Sequence, residues 1–191
     1  TLSYSFINEN IFDKILLPKN SESRNVLKLK NPLSDDVAVM RTLLFPSLLK
    51  IASLNIRKSN KNLNLFEIGN VYIPVVGEDV QPLEYPHLCI LQSGNGKDFF
   101  EIKKVTETIA SNFNLIFAYK PANETFMHPG RSAYIFNGKK KIGIIGEIHP
   151  DVAENFETDQ KIYIAEIDLN LLFKDCEKEI IFNPIRKYQS V

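Results

Sequence analysis

Ala133-Tyr134-Ile135-Phe136-Asn137-Gly138-Lys139-Lys140-Lys141-Ile142-Gly143-Ile144-Ile145 is the stretch whose reading decides the fold class. Two apolar runs, Ala133 to Phe136 and Lys141 to Ile145, flank Asn137-Gly138, the strongest short-range hairpin signal. Working outward, the neighbouring segments have the same habit. Leu115 to Tyr119 reads as a strand, His87 to Leu91 as a short apolar strand, and Ile162 to Ile167 as another. Leu63 to Val76 reads as a long strand kinked at Gly69, and the acidic stretch Val76 to Pro86, with Gly77 and Pro82, reads as a loop at a hairpin tip. Hairpins outnumber βαβ crossovers. The expected class is therefore α+β: one domain, an antiparallel sheet with helices on one face.

The helices are placed by caps and by three- and four-residue spacing. Asp98-Phe99-Phe100-Glu101 has capping-box spacing and opens a helix whose inner face is Ile102, Val105, Ile109 and Phe113. Thr42 offers an N-cap and Pro46 a tolerable first turn for a helix with Leu44, Leu48, Ile51, Ala52 and Ile56 on one face. Asn8 is placed to cap a short helix through Ile15, Pro150 begins another as far as Phe156, and Asp168 caps a brief one through Leu172. Leu2, Tyr4 and Phe6 alternate with serines as a half-buried strand does, and Val26 to Lys30 alternates until Asn31-Pro32 stops it.

The 191 residues carry 23 Lys+Arg against 23 Asp+Glu, so no basic excess advertises a broad nucleic-acid footprint. No apolar run approaches the roughly 18 residues that span a bilayer, and the start at Thr1 lacks the basic region of a signal peptide. Cys89 and Cys176 stand far apart, which suits free thiols in a reducing compartment. Both ends read as cut from something longer.

Six side chains stand out as site candidates. Arg131, after the turn His128-Pro129-Gly130, is placed to grip a carboxylate or phosphate; alternatively Gly130 supplies a positive φ and Arg131 pairs locally across the hairpin. Glu147 and His149 share a strand face and with His128 could make a metal site, although ligand triads usually have a better-defined third partner, whereas His149 ending its strand before Pro150 needs no metal. Glu67 is a carboxylate in an apolar strand: an acid/base, or a buried group satisfied by a partner such as Arg41. Gly143-Ile144-Ile145-Gly146 has too few glycines for a phosphate cradle, and His87 beside Cys89 is a weak nucleophile pairing. Alone, these features define no enzyme.

Three segments together resemble one family. They are Asn31 to Asp36 running into Val39 to Leu49, then Leu65 to Tyr72, then His128 to Ala133 with Gly143 to Val152 close behind. In this order they are similar to the β subunit of bacterial phenylalanyl-tRNA synthetase, over essentially the whole chain. The resemblance implies a class II aminoacyl-tRNA synthetase-like core over residues 1–183, a catalytic-like module without chemistry. Residues 184–191 are then a linker toward an anticodon-binding domain. It further implies an α subunit as partner in an (αβ)2 heterotetramer, tRNA engaged through the holoenzyme, cytoplasmic location and no membrane. ATP and magnesium would belong to the holoenzyme, with no cofactor, metal or catalytic residue in this segment. Arg41, Glu67, His128, Arg131, Glu147 and His149 would then be structural or subunit-interface residues.

The missing chemistry can be argued on residues. Class II adenylation needs an arginine just after the motif-2 strand, and here Val71-Tyr72 runs into Ile73-Pro74. Where a motif-3 arginine belongs, Ile164 to Leu171 offers Glu166 and Asp168, which would repel ATP. The alternative is a free-standing class II paralogue with a retained small-molecule site near Arg131 and Glu67. An RNA-binding module is a third reading, weakened by the neutral charge.

Overall fold

The computed structural model describes residues 1–32, 34–75 and 81–174. Its strands are β1 (Phe6–Ile7), β2 (Val39–Met40), β3 (Leu63–Ile73), β4 (Leu83–Ser93), β5 (Phe117–Pro121), β6 (Met127–Asn137), β7 (Lys140–Ile148) and β8 (Ile162–Asp168). Its helices are α1 (Ile11–Lys14), α2 (Phe45–Arg57), α3 (Phe99–Asn112), α4 (Pro150–Asn155) and α5 (Leu169–Phe173). β3 to β8 form one antiparallel sheet in the order β3-β4-β8-β7-β6-β5, and β1 pairs with β2 apart from it. The α+β class with an antiparallel sheet is what the strand patterns indicated.

The placement of helices differs from expectation. In β8 every residue from Ile162 to Ile167 is buried, so this strand is apolar on both faces and needs cover on both. α2 lays Leu44, Phe45, Leu48, Leu49, Ala52 and Ile56 against one face, together with Phe12 and Ile15 from the N-terminal segment, over Cys89, Leu91 and Ile164. On the opposite face Ile102 and Ala110 of α3 and Leu169 and Leu172 of α5 close over Leu88, Ile90, Ile135, Ala165 and Ile167. Strand alternation divides one sheet between two cores. The caps of α3 and α5 form as read: Asp98 accepts from the Glu101 amide at 2.9 Å and Asp168 from the Leu171 amide at 3.0 Å.

Several local expectations are corrected. Leu2 and Tyr4 are exposed and only Phe6–Ile7 pairs as strand, because Ser3 on the other side turns inward to Glu67. Val26 to Lys30 forms a lone bridge, Lys28 to Val39, since its two-residue neighbour β2 offers no ladder to extend. Asn8 accepts from the Asn10 amide, and the helix it was to cap begins only at Ile11. Thr42 is no cap: its hydroxyl donates to the Ser23 carbonyl, and the N-cap position of α2 is Leu44. The hairpin forms, but Asn137 pairs with Lys140, so the turn residues are Gly138 and Lys139 with Gly138 at φ 58°. His128 to Arg131 lies inside β6 rather than in a loop, where the register shifts between Met127 and Ser132. Val76 with the first part of its loop, Cys176, the boundary at 183 and the linker 184–191 fall outside the described residues.

Candidate functional site

The row that crosses the α2 face of the sheet is the unusual one. Register aligns Glu67 of β3 with Cys89 of β4, and Cys89 with Glu166 of β8. Two carboxylates are thus carried into an apolar core, and each must find donors there.

Glu67 finds Arg41. The two side chains are 0% and 3% exposed, and Arg41 Nη1 donates to Glu67 Oε1 at 3.1 Å. The same Nη1 donates to Ser3 Oγ at 2.7 Å, and Nε donates to the Asn70 carbonyl at 2.8 Å. Ser3 Oγ donates onward to Glu67 Oε1 at 2.7 Å, and Thr1 Oγ1 donates to Oε2 at 3.1 Å. Burial pushes the Glu67 carboxyl up, but Ser3 and Arg41 together hold it below the ordinary carboxylate range. The residue beside them is Gly69 because a Cβ there would collide with the Arg41 guanidinium. The strand runs through Gly69 in unbroken register with β4, without the kink expected there; the glycine is explained instead by the guanidinium, which lies where a side chain would be.

Glu166 finds a helix end. Its Oε1 accepts from the Leu44 amide at 2.9 Å and its Oε2 from the Phe45 amide at 2.7 Å. α2 has no capping side chain of its own, so a carboxylate 122 positions later in the chain satisfies the orphan donors and meets the positive end of the helix dipole. His87 Nδ1 lies 2.7 Å from Glu166 Oε1 and, facing a carboxylate, is the donor. Burial pushes the His87 imidazole down, and the Glu166 carboxylate, helped by Asp168, overrides it, leaving the pKa above 6.5. Asp168 and Glu166 are therefore spoken for, one capping α5 and one capping α2. His87 does not activate Cys89: burial pushes that thiol well up, and its Sγ faces the Ile90 carbonyl at 3.9 Å.

The second cluster holds the remaining candidates. Arg131 Nη1 donates to both Glu147 oxygens, at 3.1 and 2.9 Å, across the β6–β7 pair. Gly130 supplies a positive φ of 90° within β6, and Arg131 pairs locally across the hairpin. Burial raises the pKa of Tyr163, and the charge of the nearby Glu147 carboxylate raises it further. His149 is the N-cap of α4, its Nδ1 accepting from the Asp151 amide at 3.2 Å. His128 is half-buried, with Nδ1 lacking a hydrogen-bond partner. Among the described residues no three His, Cys, Asp or Glu side chains are grouped to hold a metal ion.

Sequence reading joined Arg41 to Glu67 and missed the role of Glu166 and His87. The signal was present in two places: a lone acid inside the apolar run Ile162 to Ile167, and a helix starting at Phe45-Pro46 with Leu43-Leu44, rather than Ser, Thr, Asp or Asn, immediately before it. An uncapped helix and an orphan carboxylate answer each other.

A family model described as the phenylalanyl tRNA synthetase beta chain CLM domain matches residues 1–169. The phenylalanine–tRNA ligase beta subunit of Clostridium tetani is 40% identical over 194 aligned residues, covering 100% of this chain and 24% of that protein. The same subunit of Clostridium acetobutylicum is 39% identical with the same coverage, and that of Geobacter metallireducens 32% identical, covering 98% of this chain and 25% of its own length. The chain spans about a quarter of the length of the curated relatives it matches.

Proposed function

Because the chain belongs to the phenylalanyl-tRNA synthetase β-chain CLM domain family, we propose that it is the catalytic-like module of a phenylalanine–tRNA ligase β subunit and serves as a non-catalytic scaffold. The observation that carries this reading is the fate of the arginines. Each of the four among the described residues is paired with a carboxylate of its own chain: Arg24 with Asp13, Arg41 with Glu67, Arg57 with Glu157 and Arg131 with Glu147. Adenylate formation needs guanidinium groups aimed at phosphate. Here they bind the fold together.

In this reading the sheet is a class II synthetase-like core, residues 1–183 are one module, and the segment after it leads to a further domain. The module packs against an α subunit in an (αβ)2 heterotetramer that attaches phenylalanine to tRNA in the cytoplasm. ATP and magnesium act elsewhere in that assembly, and this chain holds no cofactor. Arg41, Glu67, His128, Arg131, Glu147 and His149 are structural or subunit-interface residues. Among the described residues no helix is long and apolar enough to cross a membrane.

The test is to co-express the full-length β subunit with its α subunit, measure phenylalanylation of tRNA, and titrate ATP into β alone by calorimetry. Stable α–β co-purification, charging activity and no heat of ATP binding to β are expected. Saturable ATP binding to β that Arg131→Ala abolishes would instead establish a small-molecule site in this module.

A further inference from the structure

A different face of the molecule carries chemistry that the scaffold reading does not use. Residues 115–148 hold Lys120, Arg131, Lys139, Lys140 and Lys141 against Glu124, which accepts from the Tyr134 hydroxyl, and Glu147, which pairs with Arg131, although the whole chain is neutral. The fold brings this stretch together as β5, β6 and β7 at one end of the sheet. Along β6, Ala133 and Ile135 fill the α3–α5 core, so Tyr134 and Phe136 point to the opposite face. The core under α2 takes in Met127, at the start of β6, but neither Tyr134 nor Phe136. Both rings are half-buried on this uncovered part of the sheet, and Ala118, Lys120 and Lys141 around them are exposed.

The lysines are arranged on the rings. Lys120 is directly opposite Tyr134, yet its Nζ lies over Phe136, 4.6 Å from the centroid. Lys141 is opposite Phe136, yet its Nζ lies over Tyr134 at 4.3 Å. Two lysines from the flanking strands thus cross over two neighbouring aromatics by the diagonal approach of an antiparallel pair. A ring face fixes an ammonium by cation–π attraction while the remaining N–H donors stay directed outward. Fixed cations alternating with aromatic surfaces on an open sheet fit a strand that alternates phosphates and bases.

We propose that the β5–β6–β7 face binds RNA, with Lys120 and Lys141 meeting phosphate oxygens and Tyr134 and Phe136 providing stacking surface beside them. That the RNA is tRNA rests on the ligase reading above; the basic–aromatic face itself does not. An acidic protein partner would match the charge and use the rings only to hold the lysines.

The experiment uses the full-length β subunit in complex with α and transcribed tRNA, by filter binding over a range of salt. Lys120→Met with Lys141→Met keeps the stems over the rings and removes only the charges. Removing one lysine–phosphate interaction weakens binding about fivefold at roughly 0.15 M salt, so the pair is expected to weaken it about thirtyfold and to lower the salt slope by about two. Lys120→Arg with Lys141→Arg is expected to bind as the wild type does. Unchanged affinity and slope in the methionine pair overturn the proposal. If that variant fails to assemble, acetylation footprinting of the wild-type complex decides: protection of Lys120 and Lys141 by tRNA supports RNA binding at this face. Absence of protection, or protection by the α subunit alone, overturns it. Phenylalanylation by the wild-type complex is measured in parallel, and its absence overturns the ligase reading while leaving the RNA measurement to stand on its own.

Discussion

Removing Glu166 tests the central claim about how the first long helix is held. The amides of Leu44 and Phe45 belong to residues 0% and 1% exposed, so no water replaces the lost carboxylate. An orphaned buried donor costs about 1–3 kcal/mol, and Glu166→Ala creates two of them and strips His87 of its partner. A loss of roughly 3–5 kcal/mol is expected, a large part of a typical domain's 5–15 kcal/mol. Glu166→Gln keeps one acceptor oxygen but turns an amide NH2 toward a donor, so a loss of about 2–3 kcal/mol is expected. Urea unfolding followed by far-UV circular dichroism gives both values if the slopes agree with wild type. The pH dependence is a second readout. Because the folded pKa of His87 lies above 6.5, the stabilisation from its bond to Glu166 is complete below about pH 6.5. It is lost as pH rises through the folded value. Wild-type stability should therefore fall as pH rises above about 6.5, by an increment that both Glu166 variants lack. A Glu166→Ala protein within about 0.5 kcal/mol of wild type, or one retaining the full pH increment, would refute the helix-end assignment.

Arg41→Ala and Glu67→Ala should each cost about 3–5 kcal/mol by stranding a buried charge, while Arg41→Met with Glu67→Met should restore most of that loss; additive losses in chemical denaturation would contradict the pairing. Gly69→Ala should cost about 1–3 kcal/mol through overpacking against the guanidinium, and less in the Arg41→Met background, as a double-mutant cycle would record. Cys89, with its thiol pushed up by burial, should resist alkylation until the protein unfolds; fast labelling of the Cys89 peptide in native buffer, read by mass spectrometry, would show that the thiol is accessible.

Much of the fold was legible because its signals are local. Asp98 and Glu101 are three residues apart, and Asn137-Gly138 ends one strand and opens the turn to the next. The Arg41–Glu67 pair was legible for a related reason: an acid among apolar residues demands a partner, and the chain offered one near the adjoining helix. The N-terminal strand was misread because alternation says which residues share a face but not which face is buried. Leu2 and Tyr4 look like the inward side, yet Ser3 goes in, since the buried Glu67–Arg41 pair is worth more to it than an apolar neighbour. The one-sided helix layer failed likewise, because the apolar run of β8 shows only that the strand is buried and not from how many sides.

The hairpin at Asn137-Gly138 shows where the division lies. Sequence alone determined that a tight antiparallel turn belongs there, because glycine at a positive φ is a property of the backbone at that residue. It likewise determined the caps of α3 and α5 and the class of the sheet. Only the tertiary structure decided that β8 enters between β4 and β7, since that pairing is set by which apolar faces can be covered together. That insertion places Glu166 at the start of α2, and with it a helix end completed by a residue from the far end of the chain. It also decided that a neutral chain sets Lys120 and Lys141 over aromatic rings at the far edge of the sheet. Charge totals are additive along a sequence, but potentials depend on distance, and distances are set only by folding.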